Sequence, residues 1–362
     1  MTQSMFFRKL LDLNSLLVFG VVAVFLRLSD ASDTAVFATS ALAIIPLAGL
    51  IGKSTEEIAV HTGPQIGGLL NATLGNAAEL IITIFALREG LLELVRASII
   101  GSILGNLLLV MGLAIMLGGL KNGLQTFNAR RAGMNGTLLI MAFMALAIPS
   151  LFDASFVENQ AFQNEQILSE GIALILIALY IANVFYTMFT KDETGATAAT
   201  EPHHEAKWPV SLAVGVLAFA TIGIVFMSEF LVSTVEPVVE ELGWSELFVG
   251  VIIVPIIGNV AEHLVAVQMA LKNRMELSMS IALGSSLQIA LFVAPVLVFI
   301  SLLFADKLVL AFTLPEVIAL AAASYVAALV AQDGESNWFE GLMLMGVYLI
   351  IGLAFFLLPE AH

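Results

Sequence analysis

Cysteine is absent from the 362 residues, which excludes disulfides, thiolate metal sites and cysteine nucleophiles while leaving the redox compartment unmarked. Charge is scarce as well. Asp, Glu, Lys and Arg make up 12% of the chain, against roughly 25% in an ordinary soluble domain, too little to clothe a water-facing surface. Basic residues are the scarcer sign, 14 against 29 acidic ones, and the net charge of −15 argues against a nucleic-acid partner. A small-residue cleavage site is missing behind the apolar stretch Leu16–Leu28, which follows Arg8 and Lys9. That stretch therefore reads as a first membrane helix and not as a removed leader.

What remains is apolar sequence: 59% of the residues are hydrophobic and the mean hydropathy is +1.00. Val210–Met227 and Leu342–Leu358 contain no charged residue at all. Each can cross a hydrocarbon core of about 30 Å at 1.5 Å per residue. Such runs are too long and too uniformly apolar for alternating barrel strands, so the expected class is an all-α polytopic membrane protein in a lipid bilayer. About eleven transmembrane helices are expected, at 13–28, 34–52, 63–88, 91–119, 131–152, 167–189, 208–235, 245–271, 276–304, 308–331 and 338–358. The Thr-, Glu- and His-rich stretch 190–207 reads as a hydrophilic linker. It divides the chain into a leading helix (1–33), a first five-helix repeat (34–189) and a second (208–362). Lys and Arg fall ten to four in favour of the side that carries Arg8, Lys53, Lys121, Arg131, Lys207 and Arg274, which places the N-terminus in the cytoplasm. The opposite side is acidic, with Asp153, Glu158, Glu165, Glu236, Glu240, Glu241 and Glu246; these are expected to be solvated loop carboxylates that can concentrate cations.

The chain repeats itself. Gly75-Asn76-Ala77-Ala78-Glu79 matches Gly258-Asn259-Val260-Ala261-Glu262, 183 residues on, and the same offset joins Glu93 to Glu276, Gly101 to Gly284 and Ser102 to Ser285. Five spans per repeat bring the chain out on the opposite side, so the repeats are inverted, an arrangement that puts substrate sites near the midplane. Glu79 and Glu262 lie inside apolar helices. An ionised carboxylate there costs at least a few kcal/mol unless it faces a cavity, binds a cation or takes up a proton. Two such groups can hold a cation, or protons in its absence, but not both at once, which suffices for exchange. Asn76 and Asn259 precede the glutamates by three residues and share their helix faces. Ser102 and Asn106, and Ser285 and Gln288, add oxygens from the next helix in each half. The set suits a hard cation such as Ca²⁺, which takes six to eight oxygen ligands. Locally unwound turns near Asn71–Gly75 and Pro255–Gly258 are expected to add backbone carbonyls. Asn and Ser also serve as ordinary helix–helix contacts in membranes.

Other groups are weaker candidates. His263 can adjust or relay protons, although it points about 100° away from Glu262 around the helix. Glu229 is a third intramembrane carboxylate; Glu56 and Glu57 read as solvated at a membrane boundary; His203 and His204 read as linker residues. The spans contain no nucleophile–base set or zinc motif, so neither an enzyme nor a cofactor is expected.

The two Gly-Asn-x-x-Glu segments, with Gly101-Ser102-Ile103-Leu104-Gly105-Asn106 and Gly284-Ser285-Ser286-Leu287-Gln288, resemble the paired signatures of the CAX family of Ca²⁺/H⁺ antiporters in the cation/Ca²⁺ exchanger superfamily. The resemblance spans nearly the whole chain. It implies export of cytosolic Ca²⁺ against protons by alternating access. Glu79 and Glu262 would be the shared cation and proton carriers, with Asn76, Asn259, Ser102, Ser285 and Gln288 around them. The linker, with only Asp192, Glu193, Glu201 and Glu205, is shorter and less acidic than in many eukaryotic members. That argues against a Ca²⁺-sensing role and for a prokaryotic-type protein of the plasma membrane. A Na⁺/Ca²⁺ exchanger, an Mn²⁺-preferring antiporter and a passive cation channel are the alternatives, since oxygen ligands suit Mn²⁺ as well. A homo-oligomer is compatible with this architecture.

Overall fold

The computed structural model describes residues 13–158, 162–189 and 206–358; the linker residues Asp192, Glu193, Glu201, His203, His204 and Glu205 lie outside them. The helices are α1 (Val18–Leu28), α2 (Asp33–Thr62), α3 (Pro64–Leu74), α4 (Ala77–Arg88), α5 (Leu92–Leu104), α6 (Met111–Asn122), α7 (Ala129–Glu158), α8 (Phe162–Phe189), α9 (Val210–Ser233), α10 (Val235–Leu242), α11 (Glu246–Phe248), α12 (Val254–Leu271), α13 (Met275–Gln288), α14 (Ala294–Ser301), α15 (Leu314–Val330) and α16 (Trp338–Leu357). They group into the eleven expected spans. Among the described residues, eight helices are long and apolar enough to cross a membrane, Ser15–Leu28 and Leu314–Val330 are shorter apolar helices, and the remaining span is α3–α4, interrupted at Gly75–Asn76.

Local chemistry sets the breaks. Gly63 adopts φ +87°, a value open to glycine at no steric cost. It ends α2 and lets Pro64 start α3, where a missing N–H is harmless. Three helices pass through π segments: Gly105–Val110 between α5 and α6, Val249–Ile253 before α12, and Ile289–Val293 before α14. Pro255 and Pro295 directly follow two of them. Each proline lacks an N–H and would crowd the carbonyl four residues back, and the wider turn relieves both problems.

The expected unwinding at Pro255–Gly258 is therefore corrected. Those residues stay helical, and the irregularity falls one turn earlier as a hydrogen-bonded π segment. Asn71–Gly75 is also helical through Leu74, with the interruption at Gly75–Asn76. The expected helix over 308–331 starts only at Leu314. Before it, the backbone N–H groups of Leu308, Leu310 and Phe312 donate to the hydroxyls of Ser301, Ser169 and Ser150, at 2.9, 3.1 and 2.8 Å. Serine hydroxyls thus replace the helical ladder that membrane-depth backbone otherwise requires. Thr313 and Glu316 then form a capping box that opens α15.

The chain forms two compact units that cut across the sequence halves. The first takes in α1 to α3, the start of α4 as far as Phe85, the chain up to Trp244 that carries α9 and α10, and Ile257–Ala261 of α12. Its main seam joins α2 to α9, where Gly223 admits Leu47: a Cβ at Gly223 would meet Leu47 Cδ2 at 2.9 Å. The second runs from Ala86 through α8 and takes in Ser245–Ile256 and everything from Glu262 onward. At its centre is the α5–α6 span, 83% of whose most apolar stretch is buried, against 22% for α8 and α16; the latter two keep most of their apolar surface for lipid. At one end of this unit Lys121 Nζ donates to the Leu271 carbonyl at 2.9 Å and Arg131 pairs with Glu276 at 3.0 Å. A two-residue β pairing of β1 (Gln125–Thr126) with β2 (Glu335–Ser336) closes the same end.

The 183-residue offset reappears in the backbone. Helix α5 followed by its π segment corresponds to α13 followed by its own, so each serine-bearing helix ends in the same irregular turn.

Candidate cation site

Glu79 stands in the first turn of α4, just past the interruption at Gly75–Asn76. It is 1% exposed and Asn76 is 4% exposed. Around it the helix is regular: Leu80 N–H donates to the Asn76 carbonyl at 3.0 Å, and Thr83 Oγ1 donates to the Glu79 carbonyl at 2.8 Å. Within the same unit the second signature crosses the first. A Cβ at Gly258 would lie 3.6 Å from Glu79 Cβ and 3.7 Å from its Cα. A methyl group at 258 would thus sit at ordinary van der Waals distance from Glu79, so α12 passes close beside the glutamate here, and the adjacent Asn259 is 2% exposed.

The second unit holds Glu262 with its partners. The Ser285 hydroxyl donates to the Glu262 carboxylate, and Asn106 Nδ2 donates to Ser285 Oγ at 3.1 Å. Asn106 lies in the π segment after α5 and Ser285 in α13, so the two repeats supply successive members of one chain, Asn106 to Ser285 to Glu262. Ser102, Asn106 and Ser285 are buried, and Gln288 and Glu262 are half-buried. The Glu262 Oε2 atom is itself buried, with no hydrogen-bond partner among the described residues. Ser285 is thus oriented twice, as acceptor from the amide and donor to the carboxylate. The Asn106 side chain spends a donor on it and keeps its carbonyl oxygen for other work. His263 is half-buried, its Nε2 buried without a described partner.

Each proposed ligand thus lies in one of the two units. Asn76, Glu79 and Asn259 belong to the first unit, and Ser102, Asn106, Glu262, His263, Ser285 and Gln288 to the second. Helix α12 contributes to both, since Asn259 and Glu262 are one turn apart on it. No group of three or more His, Asp or Glu side chains gathers among the described residues.

Glu229 lies within α9, where an intramembrane carboxylate is expected, and is half-buried. Some expectations require correction. Glu165 is 6% exposed and not a solvated loop carboxylate; it lies in the first turn of α8, where the helix dipole favours an anion. Glu236, Glu240 and Glu241 are exposed as expected, whereas the side chains of Asp153 and Glu158 lie outside the described residues. Glu56 is exposed, but Glu57 is buried and bonded. Sequence reasoning also missed the helix crossing at Gly101, where a Cβ would meet the Val251 carbonyl oxygen at 2.1 Å. Small residues are the known signal for such crossings, yet Gly284, its counterpart in the repeat, has nothing within 4 Å.

Comparison with known proteins agrees with this architecture. The family model described as "Sodium/calcium exchanger protein" matches residues 32–189 and 212–357. The chain is 48% identical to the Ca²⁺/H⁺ antiporter ChaA of Bacillus subtilis over 89% of its length and 92% of that protein. It is 42% identical to a Ca²⁺/H⁺ antiporter of Synechocystis sp. over 94% and 98%. The solved structure of native YfkE superposes with a TM-score of 0.82 at 44% identity, covering 96% of this chain and all of that one. The chain belongs to the sodium/calcium exchanger protein family and, within it, to the CAX branch.

Proposed function

We propose that this protein exchanges Ca²⁺ for protons across the membrane by alternating access, exporting cytosolic Ca²⁺, and that Glu79 and Glu262 hold the ion and the protons in turn. The observation that carries the reading is the passage of Gly258 beside Glu79: the two signatures, far apart in sequence, lie within a methyl group's reach of each other at a buried glutamate. The relatives named above support the ion and the antiport. The Lys and Arg count along the sequence, ten to four in favour of the side that carries Arg8, supports a cytoplasmic N-terminus.

The test is Ca²⁺ accumulation by reconstituted vesicles under an imposed pH gradient. Uptake against the Ca²⁺ gradient is expected, indifferent to Na⁺ and abolished by a protonophore. A strict Na⁺ requirement would turn the assignment to Na⁺/Ca²⁺ exchange, and purely downhill flux would turn it to a channel. Because protons and ion compete for the same carboxylates, lowering the pH on the Ca²⁺ side is expected to raise the apparent KM for Ca²⁺. Ser285→Ala removes the donor that orients Glu262. It is expected to raise that KM by about tenfold, the low end of the loss on removing an outer partner of a metal ligand; an unchanged KM would make the Asn106–Ser285–Glu262 chain a packing feature only.

A further inference from the structure

In the first unit, α2 carries Lys53, Glu57 and His61, spaced by four and therefore on one helix face. All three engage the same short segment just before α9. Glu57 Oε2 accepts the backbone N–H of Lys207 at 2.8 Å and of Trp208 at 3.0 Å. His61 Nε2 donates to the Trp208 carbonyl at 2.8 Å, and Lys53 Nζ sits 4.4 Å from the centroid of the indole. The amide N–H, the carbonyl and the ring of one tryptophan are thus all held by one helix. Pro209 follows and accepts the first bonds of α9, from Leu212 at 3.0 Å and Ala213 at 3.1 Å. Glu57 is 8% exposed, so its two bonds lie where an unpaired carboxylate would be costly.

The rest of the seam makes this clasp informative. The buried face of α9 is Ala213, Ala220, Ile224, Met227 and Leu231, with Ser228 as its polar member. The seam's packing, with Leu47 set against Gly223, holds the two helices together. Polar bonds at its ends add directional constraints on the axial offset. The far end has one in Thr34 Oγ1, which donates to Glu241 of α10, and the near end has the Trp208 clasp.

We propose that Glu57 is a positioning residue for exchange: through the backbone of Trp208 it fixes the axial register of α9 against α2, and so the rate at which the transporter turns over. This rests on the exchange reading above. Trp208 itself reports on the clasp once Trp244→Phe and Trp338→Phe leave it as the single tryptophan. In that parent, Glu57→Ala is expected to raise acrylamide quenching of Trp208 at least about twofold and to lower kcat about tenfold, with the Ca²⁺ KM unchanged, since the two charge-assisted bonds lost hold backbone before α9 and none of the proposed ion ligands. Glu57→Gln, which keeps an acceptor oxygen, is expected to restore part of both. If the alanine variant does not fold, Lys53→Met and His61→Ala act on the same clasp from its exposed rim, with smaller changes in the same direction. Quenching that rises while kcat holds would overturn the positioning role, and quenching that does not move would overturn the clasp. Quenching needs no ion, so a parent that fails to exchange Ca²⁺ counts against the function reading alone.

Discussion

Replacing either Glu79 or Glu262 by glutamine is expected to abolish exchange, by more than about 100-fold, while the protein remains folded and monodisperse in detergent. Loss of an outer-shell partner costs a metal site about 10–100-fold, and loss of a carboxylate that carries both ion and proton should exceed it. Glutamine keeps the volume and one oxygen but removes the charge, leaving nothing to compensate a divalent ion or to release a proton. The surroundings should tolerate the change. Glu79 sits in a regular turn whose backbone bonds do not involve its carboxylate, and an uncharged side chain is cheaper at membrane depth than an ionised one. Vesicle uptake, read beside the elution profile and helicity of each variant, separates function from folding. Transport near the parental rate by either variant would remove that carboxylate from the proposed carriers.

The second large effect concerns stability and should divide two positions that look equivalent in the repeat. Gly101→Ala is expected to destabilise the protein by about 3 kcal/mol or more, the upper end of overpacking costs. Its Cβ would lie 2.1 Å from the Val251 carbonyl oxygen and 2.6 Å from the carbonyl carbon, and a backbone cannot rotate aside as a side chain can. Gly284→Ala meets nothing within 4 Å and is expected to be neutral, or stabilising by up to about 1 kcal/mol through helix propensity. Thermal unfolding in detergent by intrinsic fluorescence gives the comparison directly. Equal midpoints for the two variants would mean that the α5 crossing is looser than described.

The contrast between Gly101 and Gly284 also marks where sequence reasoning stops. Hydropathy reported the spans because a bilayer permits few kinds of segment, and the 183-residue register reported Glu79 and Glu262 because polar residues are rare enough in apolar sequence to align. The same register carried into the backbone, where both serine-bearing helices end in π segments. Nothing local tells apart two glycines in the same motif, since what meets them is a distant helix. Nor did the residue types at Leu308–Thr313 reveal an extended segment; the hydroxyls that hold it, Ser150, Ser169 and Ser301, are scattered over 150 residues of sequence. Glu57 was misjudged for a related reason. Beside Glu56 near a membrane boundary it reads as a solvated charge, and only the return of the chain at Lys207 and Trp208 buries it. Where the signal was the cost of a group in lipid, the sequence sufficed; where it was a tertiary partner, it did not.

The π segment Gly105–Val110 carries Asn106 near its start and leads from Ser102 of α5 to the seam that α6 forms with α16, where Gly112 and Gly341 bring the helices together. A π turn is an α-helix with one residue to spare, and each residue is worth about 100° of rotation and 1.5 Å of advance. That spare residue sets the phase between the two ends of the span. It lets Asn106 face Ser285 while Gly112 faces Gly341, and an unbroken α-helix with the spare residue deleted would turn one of these faces about 100° away from its partner.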